Sequence, residues 1–263
     1  MTYCVGMLLD TGLCFLADSR TSAGVDQINS FRKTFVFQRP GDRVMVLQVA
    51  GNLAITQAVV TLLREHENST TRPALDLQTA TNMFEAARCV GEALREVHRR
   101  DAEALKHFDV DFSATMILGG QIRGENPRLF NIYAAGNFIE ALPEKTYFQI
   151  GESKYGKPII DRVIRRSSSL NEATKCALVS MDSTMQSNLS VGLPLDLVII
   201  RRDQFCVARH MSIDAENVYF RGIRSRWSAA LREAFVELPD PDWLSDRALE
   251  RPPTATVTKI QGS

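Results

Sequence analysis

The chain has 263 residues, 44% hydrophobic and 24% charged, which suits one large domain with an ordinary apolar core. Lysine plus arginine equals aspartate plus glutamate at 31 each, which excludes a global attraction to nucleic acid or to anionic membrane. The five cysteines, Cys4, Cys14, Cys89, Cys176 and Cys206, are odd in number and mostly embedded in apolar patterns, so they read as reduced core residues. With no signal peptide and no long apolar run, the expected compartment is the cytoplasm.

Residues 2–9 and 13–20 read as two strands about the turn Asp10-Thr11-Gly12. If Leu9 faces Leu13, Cys4 faces Asp18 and Thr2 faces Arg20; Thr2 and Asp18 are then diagonal neighbours on one face, roughly 7–8 Å apart. A one-residue slip would put them on opposite faces. Residues 31–37 alternate as a third strand with Lys33 on the face of Phe31, Phe35 and Phe37, where a lysine needs an anion and Asp18 is the candidate. Thr2 itself stands one cleavage from the chain start. Methionine before threonine is ordinarily trimmed, leaving an α-amine of pKa near ~8 beside the β-hydroxyl, able to take its proton.

Further along, residues 43–50 read as an apolar strand and 52–67 as a helix. Apolar residues from Leu77 to Val97 recur at three- and four-residue steps, predicting a long helix over about 76–106. Strands follow at 113–120, 128–135, 138–141 and 146–150, helices at 156–166 and 172–187, a hairpin of 195–201 with 205–211, and a last helix at 222–236. Strand groups alternating with helix pairs predict an α+β fold of two antiparallel sheets face to face with helices outside. That domain spans 2–236, and 237–263 form a proline-containing extended tail.

Thr2, Asp18-Ser19-Arg20 and Lys33 resemble the Thr, Asp-x-Arg and Lys signature of proteasome β-type subunits. Residues 44–51 with Asn52-Leu53-Ala54 resemble the strand, glycine and helix start at which that family forms its oxyanion hole, implying Gly51 N–H as a donor. With Gly151-Glu152-Ser153-Lys154-Tyr155-Gly156 and Ser180-Met181-Asp182-Ser183-Thr184-Met185, the chain is similar over about residues 2–236 to the bacterial branch called Anbu, the ancestral β-subunit. The resemblance implies a four-layer αββα sandwich and an N-terminal nucleophile hydrolase that cuts peptide or other amide bonds without a cofactor. It further implies homo-oligomers, in a ring or an open, lock-washer-like turn. No nucleic acid or membrane partner is expected. The pocket for the residue before the cleaved bond would be lined by Thr21, Ser22, Val49 and Leu53, none charged, favouring neutral, apolar side chains.

Each of these residues also has a plainer account, since Met-Thr starts are common, strand-end aspartates usually cap turns and strand lysines usually face water. It is the combination that is specific. A rival hydrolase would use Ser153, with Asp182 or Asp196 and then His210 in α/β-hydrolase order, but glycine follows Ser153 after three residues where that motif needs two. By resemblance, Ser153 instead lies near the serine that helps hold the threonine amine. The family adds an Asp followed three residues later by Ser-Gly; here Ser190 fits the distance to the next strand, while Asp182 lies too far upstream. Asp182 either reaches the site from another helix end, yields its role to Ser187, or is a structural helix-end residue. His66, His98, His107 and His210 show no paired spacing, which speaks against a metal enzyme. A rival of another class is an assembly protein that keeps the fold with little hydrolysis. Residues 221–232, with Trp227, offer a mixed aromatic and basic surface for self-association.

Overall fold

Alternation along each strand assigns its two faces. In β1 (Tyr3–Leu9), Tyr3, Val5, Met7 and Leu9 enter one hydrophobic core while Cys4 and Leu8 enter another. A computed structural model of the chain describes residues 2–22, 28–68 and 76–241. In it β1 is flanked by β2 (Gly12–Asp18) and β10 (Tyr147–Gly151), and β2 continues to β11 (Leu195–Arg201) and β12 (Val207–Ile213), giving a five-stranded antiparallel sheet. A second five-stranded sheet runs in order from β5 (Thr34–Arg39) through β6 (Arg43–Gly51), β7 (Ala114–Ile122) and β8 (Arg128–Ile132) to β9 (Phe138–Glu140). Between the sheets lies a core that includes Cys4, Phe15 and Ala17 from the first and Val44, Val46 and Ile117 from the second.

The outer faces are covered by helices. Met45, Leu47 and Val49 pack under α1 (Leu53–Asn68) and α2 (Met83–His107), and Val5, Met7 and Leu16 pack under α3 (Lys157–Val163) and α4 (Leu170–Ser187). This is the expected four-layer αββα sandwich. The chain divides into two compact units, Met1–Arg224 and Ser225–Ser263; the division falls inside α5 (Val218–Val236). The tail beyond residue 241 lies outside the described residues. Among the described residues no helix is long and apolar enough to cross a membrane.

Three local expectations need correction. The first hairpin closes one residue tighter than expected: Leu9 pairs with Gly12 and Cys4 with Ala17, around a two-residue loop, Asp10-Thr11. Gly12 is therefore a strand residue, paired on its other side with Arg201, and Asp18 falls opposite Tyr3 instead of diagonal to Thr2. The long helix starts at Met83, because Asp76 accepts the N–H groups of Gln78 and Thr79 in a turn of its own and Asn82 then caps the helix. Leu77 and Ala80 are nonetheless buried in the core that the periodicity predicted. Finally, β5 begins at Thr34, so Lys33 lies just ahead of the strand, released from the face of Phe35 and Phe37.

Candidate active site

Asp18 ends β2, and a short hairpin of β3 (Arg20–Ser22) and β4 (Ile28–Ser30) turns the chain back so that Lys33 returns to it. Lys33 Nζ donates to Asp18 Oδ1 at 2.8 Å and to the Arg20 carbonyl at 2.6 Å, with both side chains of the ion pair buried. The same Asp18 Oδ1 accepts the Tyr3 N–H at 2.9 Å, and Oδ2 faces the Gly192 N–H at 3.4 Å. Burial pushes the Asp18 carboxyl above its usual range, opposed by the Lys33 ammonium and the two backbone donors. In the corrected register Asp18 meets this end of β1 through the backbone, holding the peptide group that joins Thr2 to Tyr3.

Gly51 closes β6 beside this pair. Val49 N–H donates to the Lys33 carbonyl and Asn52 N–H to the Ser113 carbonyl, on opposite edges of the strand. Since successive strand N–H groups alternate in direction, Gly51 N–H points with that of Val49, toward the Lys33 side and past the start of β5. Its φ of +116° and a Ser113 oxygen 2.3 Å from where a Cβ would stand both require glycine.

On the other flank, Gly151 pairs with Tyr3, and the Thr2 carbonyl accepts the N–H of Glu152 at 2.7 Å. Gly151 has φ +79°, and a Cβ there would lie 1.9 Å from the Thr2 oxygen, so only glycine lets β10 seat Thr2. The Glu152 carboxylate, buried within the fold, accepts from Asn188 Nδ2 at 2.9 Å, and Asn188 Oδ1 accepts the Ser190 N–H at 2.9 Å. Nothing in the sequence pattern singles out Glu152 or Asn188, although Glu152 stands inside the Gly151-Glu152-Ser153 run. Behind them, Tyr3 OH lies 2.5 Å from Ser180 Oγ and accepts from Gln149 Nε2 at 2.6 Å; burial pushes that phenol well up.

Other named residues stand elsewhere or in different company. Ser153 leads into α3, its N–H on the Gly151 carbonyl and its carbonyl accepting from Lys157 N–H. His210 pairs with Asp196 at 2.7 Å in a cavity that Ser153 does not line. Asp182, in α4, is buried and receives Arg224 Nε at 2.6 Å. Ser190 enters the site's surroundings through its backbone N–H on Asn188. Val49 is a core residue beneath α1, Leu53 is half-buried, and the side chain of Ser22 lies outside the described residues. Among the described residues no cluster of three or more His, Cys, Asp or Glu forms a metal-ligand set.

No family model matches the sequence. A solved Anbu structure from Hyphomicrobium sp. strain MC1, a Gly-1 mutant, superposes with a TM-score of 0.87 at 51% identity, covering 92% of this chain and 100% of its own. The chain belongs to the Anbu family. Anbu, the ancestral beta-subunit, from Yersinia bercovieri gives a TM-score of 0.85 at 50% identity over 91% of this chain and 98% of its own. The helical assembly of the Anbu complex from Pseudomonas aeruginosa gives 0.86 at 45%, again over 91% and 98%. Among curated proteins, proteasome subunit beta 2 of Nitrosopumilus maritimus strain SCM1 is 26% identical over 207 residues, 78% of this chain and 88% of that one. The Anbu fold and its likeness to proteasome β subunits are thus those the Thr2, Asp18 and Lys33 pattern suggested.

Proposed function

We propose that this Anbu chain is an N-terminal threonine hydrolase of peptide or other amide bonds, active in a self-assembled oligomer. One observation carries the reading: a buried lysine–aspartate pair is fastened to the peptide group that joins Thr2 to Tyr3. In the scheme, removal of Met1 frees the Thr2 α-amine, which takes the hydroxyl proton as the oxygen attacks the carbonyl. Gly51 N–H receives the negative charge on the carbonyl oxygen, and Lys33 supplies a fixed positive charge beside the nucleophile. The C–N bond breaks as the leaving amine takes the proton, giving an ester of Thr2 that water then hydrolyses. Glu152, whose backbone N–H holds the Thr2 carbonyl and whose carboxylate is tied to Asn188 Nδ2 and, at 3.5 Å, to Lys154 Nζ, steadies that flank of Thr2. The scheme uses no cofactor.

Assembly is supported by the helical assembly of the Pseudomonas aeruginosa protein and, in this chain, by exposed Leu231, Phe235 and Val236 on the last helix. A second reading, an assembly protein with little hydrolysis, draws on Asp182, which is engaged by Arg224. Mass spectrometry of the purified protein with a threonine-directed electrophile tests both. Loss of Met1 with a single adduct on Thr2, absent in Thr2→Ala, supports the hydrolase; a fully active protein that retains Met1 would overturn it. Light scattering that found a monomer at micromolar concentration would reject the oligomer.

A further inference from the structure

At the free edge of the first sheet a cavity of about 480 Å³ is lined by Ser19, Ser30, Arg32, Asp196, His210 and Ser212, among others. Pairing of Asp196 with Ser212 and of Val198 with His210 sets Asp196, His210 and Ser212 on one face of the β11–β12 ladder. Asp196 is already matched there by His210 Nε2 at 2.7 Å. The serines form a relay, Ser30 Oγ donating to Ser19 Oγ at 3.1 Å and Ser19 Oγ to the Pro194 carbonyl at 2.6 Å. Arg32 is the charge left over, since it has no ion pair among the described residues. A guanidinium on the wall of a polar cavity whose one acid among the described lining residues, Asp196, is already held by His210, suits a carboxylate.

The cavity's position ties it to the proposed chemistry. Ser19 directly follows Asp18, and Leu195, another lining residue, is Asp18's partner across the ladder. Asp196 lies in one row with Ala17 and Cys4, and Cys4 is two residues from Thr2. At roughly 4.8 Å per strand that row spans about 10 Å to Cys4, and two residues of about 3.4 Å along β1 bring the distance to Thr2 to about 12 Å, the length of roughly three to four residues of extended peptide. We infer that this cavity is a subsite for an acidic side chain of the peptide substrate, held by Arg32 about three to four residues from the bond at Thr2. The inference rests on the reading of Thr2 as nucleophile.

The test separates the two. In the Thr2→Ala protein, where no turnover occurs, fluorescence anisotropy is measured with labelled octapeptides that differ only in a Glu, Gln or Lys walked along the chain. At one position Glu should bind about fivefold more tightly than Gln, the upper range for a partly exposed ion pair, with Lys weaker still. Arg32→Gln should erase that difference while keeping the affinity for the Gln peptide, and Arg32→Glu should turn the preference toward Lys. Equal binding of Glu and Gln peptides at every position, or a Glu preference that survives Arg32→Gln, would overturn the subsite even if wild-type Thr2 reacts with an electrophile. An Arg32-dependent Glu preference in a protein whose Thr2 stays unreactive would support the cavity and sink the nucleophile.

Discussion

Replacing Lys33 by methionine isolates the contribution of the buried pair. The side chains are similar in length, so the change removes a charge, and with it the donor to the Arg20 carbonyl, while leaving Asp18 fully buried with the Tyr3 and Gly192 N–H groups as its remaining donors. Removing one partner of a buried ion pair costs about 3–5 kcal/mol, because the other charge is left without compensation. The cost should depend on pH in a defined direction. The Asp18 pKa is already raised by burial, and loss of the ammonium raises it further above the unfolded value of about 3.9. A raised folded pKa means stability is retained below the unfolded pKa and lost as pH rises through the folded one. The Lys33→Met deficit should therefore be largest at neutral pH and shrink toward pH ~4. The double variant Asp18→Asn with Lys33→Met should lose less than the single one, because a neutral amide can still accept the Tyr3 N–H. Denaturant unfolding of the three variants and wild type, at one protein concentration so that assembly is held constant, measures this directly. A deficit below about 1 kcal/mol, or one constant from pH 4 to 8, would mean that Asp18 and Lys33 are not a desolvated ion pair.

Three further outcomes are expected. Gly151→Ala places a Cβ on the Thr2 carbonyl oxygen at a φ of +79°, so it should abolish the electrophile labelling of Thr2 that the proposed function predicts; a normally reactive variant would show that β10 does not seat Thr2. Gln48, fully buried opposite Thr34, has neither amide atom hydrogen-bonded among the described residues, so Gln48→Met should raise stability by about 1–3 kcal/mol, and a fall in Tm would show that the amide is satisfied in solution. At the start of α4 the Glu172 carboxyl is held below its usual range by the Ser169 N–H and hydroxyl. A depressed folded pKa gives stability that is present above the unfolded value of about 4.3 and lost as pH falls through the folded one. The Tm gap between wild type and Glu172→Gln should thus close as the pH falls from about 5 to 3; a constant gap would remove the carboxylate from the cap.

Element types and the residue types of the site were readable in one dimension because both are local properties. The nearly unbroken apolar run of 44–50 and the three- and four-residue steps from Met83 to Val97 state how much of a segment must face a core, whatever lies opposite. Thr2, Asp18 and Lys33 were readable because a lysine in an apolar run needs an anion and a threonine near the chain start has an amine close by. Pairing is not local. A hairpin whose loop is Asp10-Thr11 and one whose loop includes Gly12 differ by a single residue, and Gly12 is held in the strand by Arg201, 189 residues further along the chain. The same holds around the candidate site: Glu152 and Asn188 meet beside Thr2 only because β10 pairs with β1 and the end of α4 falls next to it. Asp182, too far upstream in the sequence for the expected acid, is turned by α4 toward Arg224. The sequence by itself determined which side chains must find partners, since desolvation acts on each one wherever it is buried; which partner each one found was decided by strand register and helix rotation, and only the tertiary structure sets those.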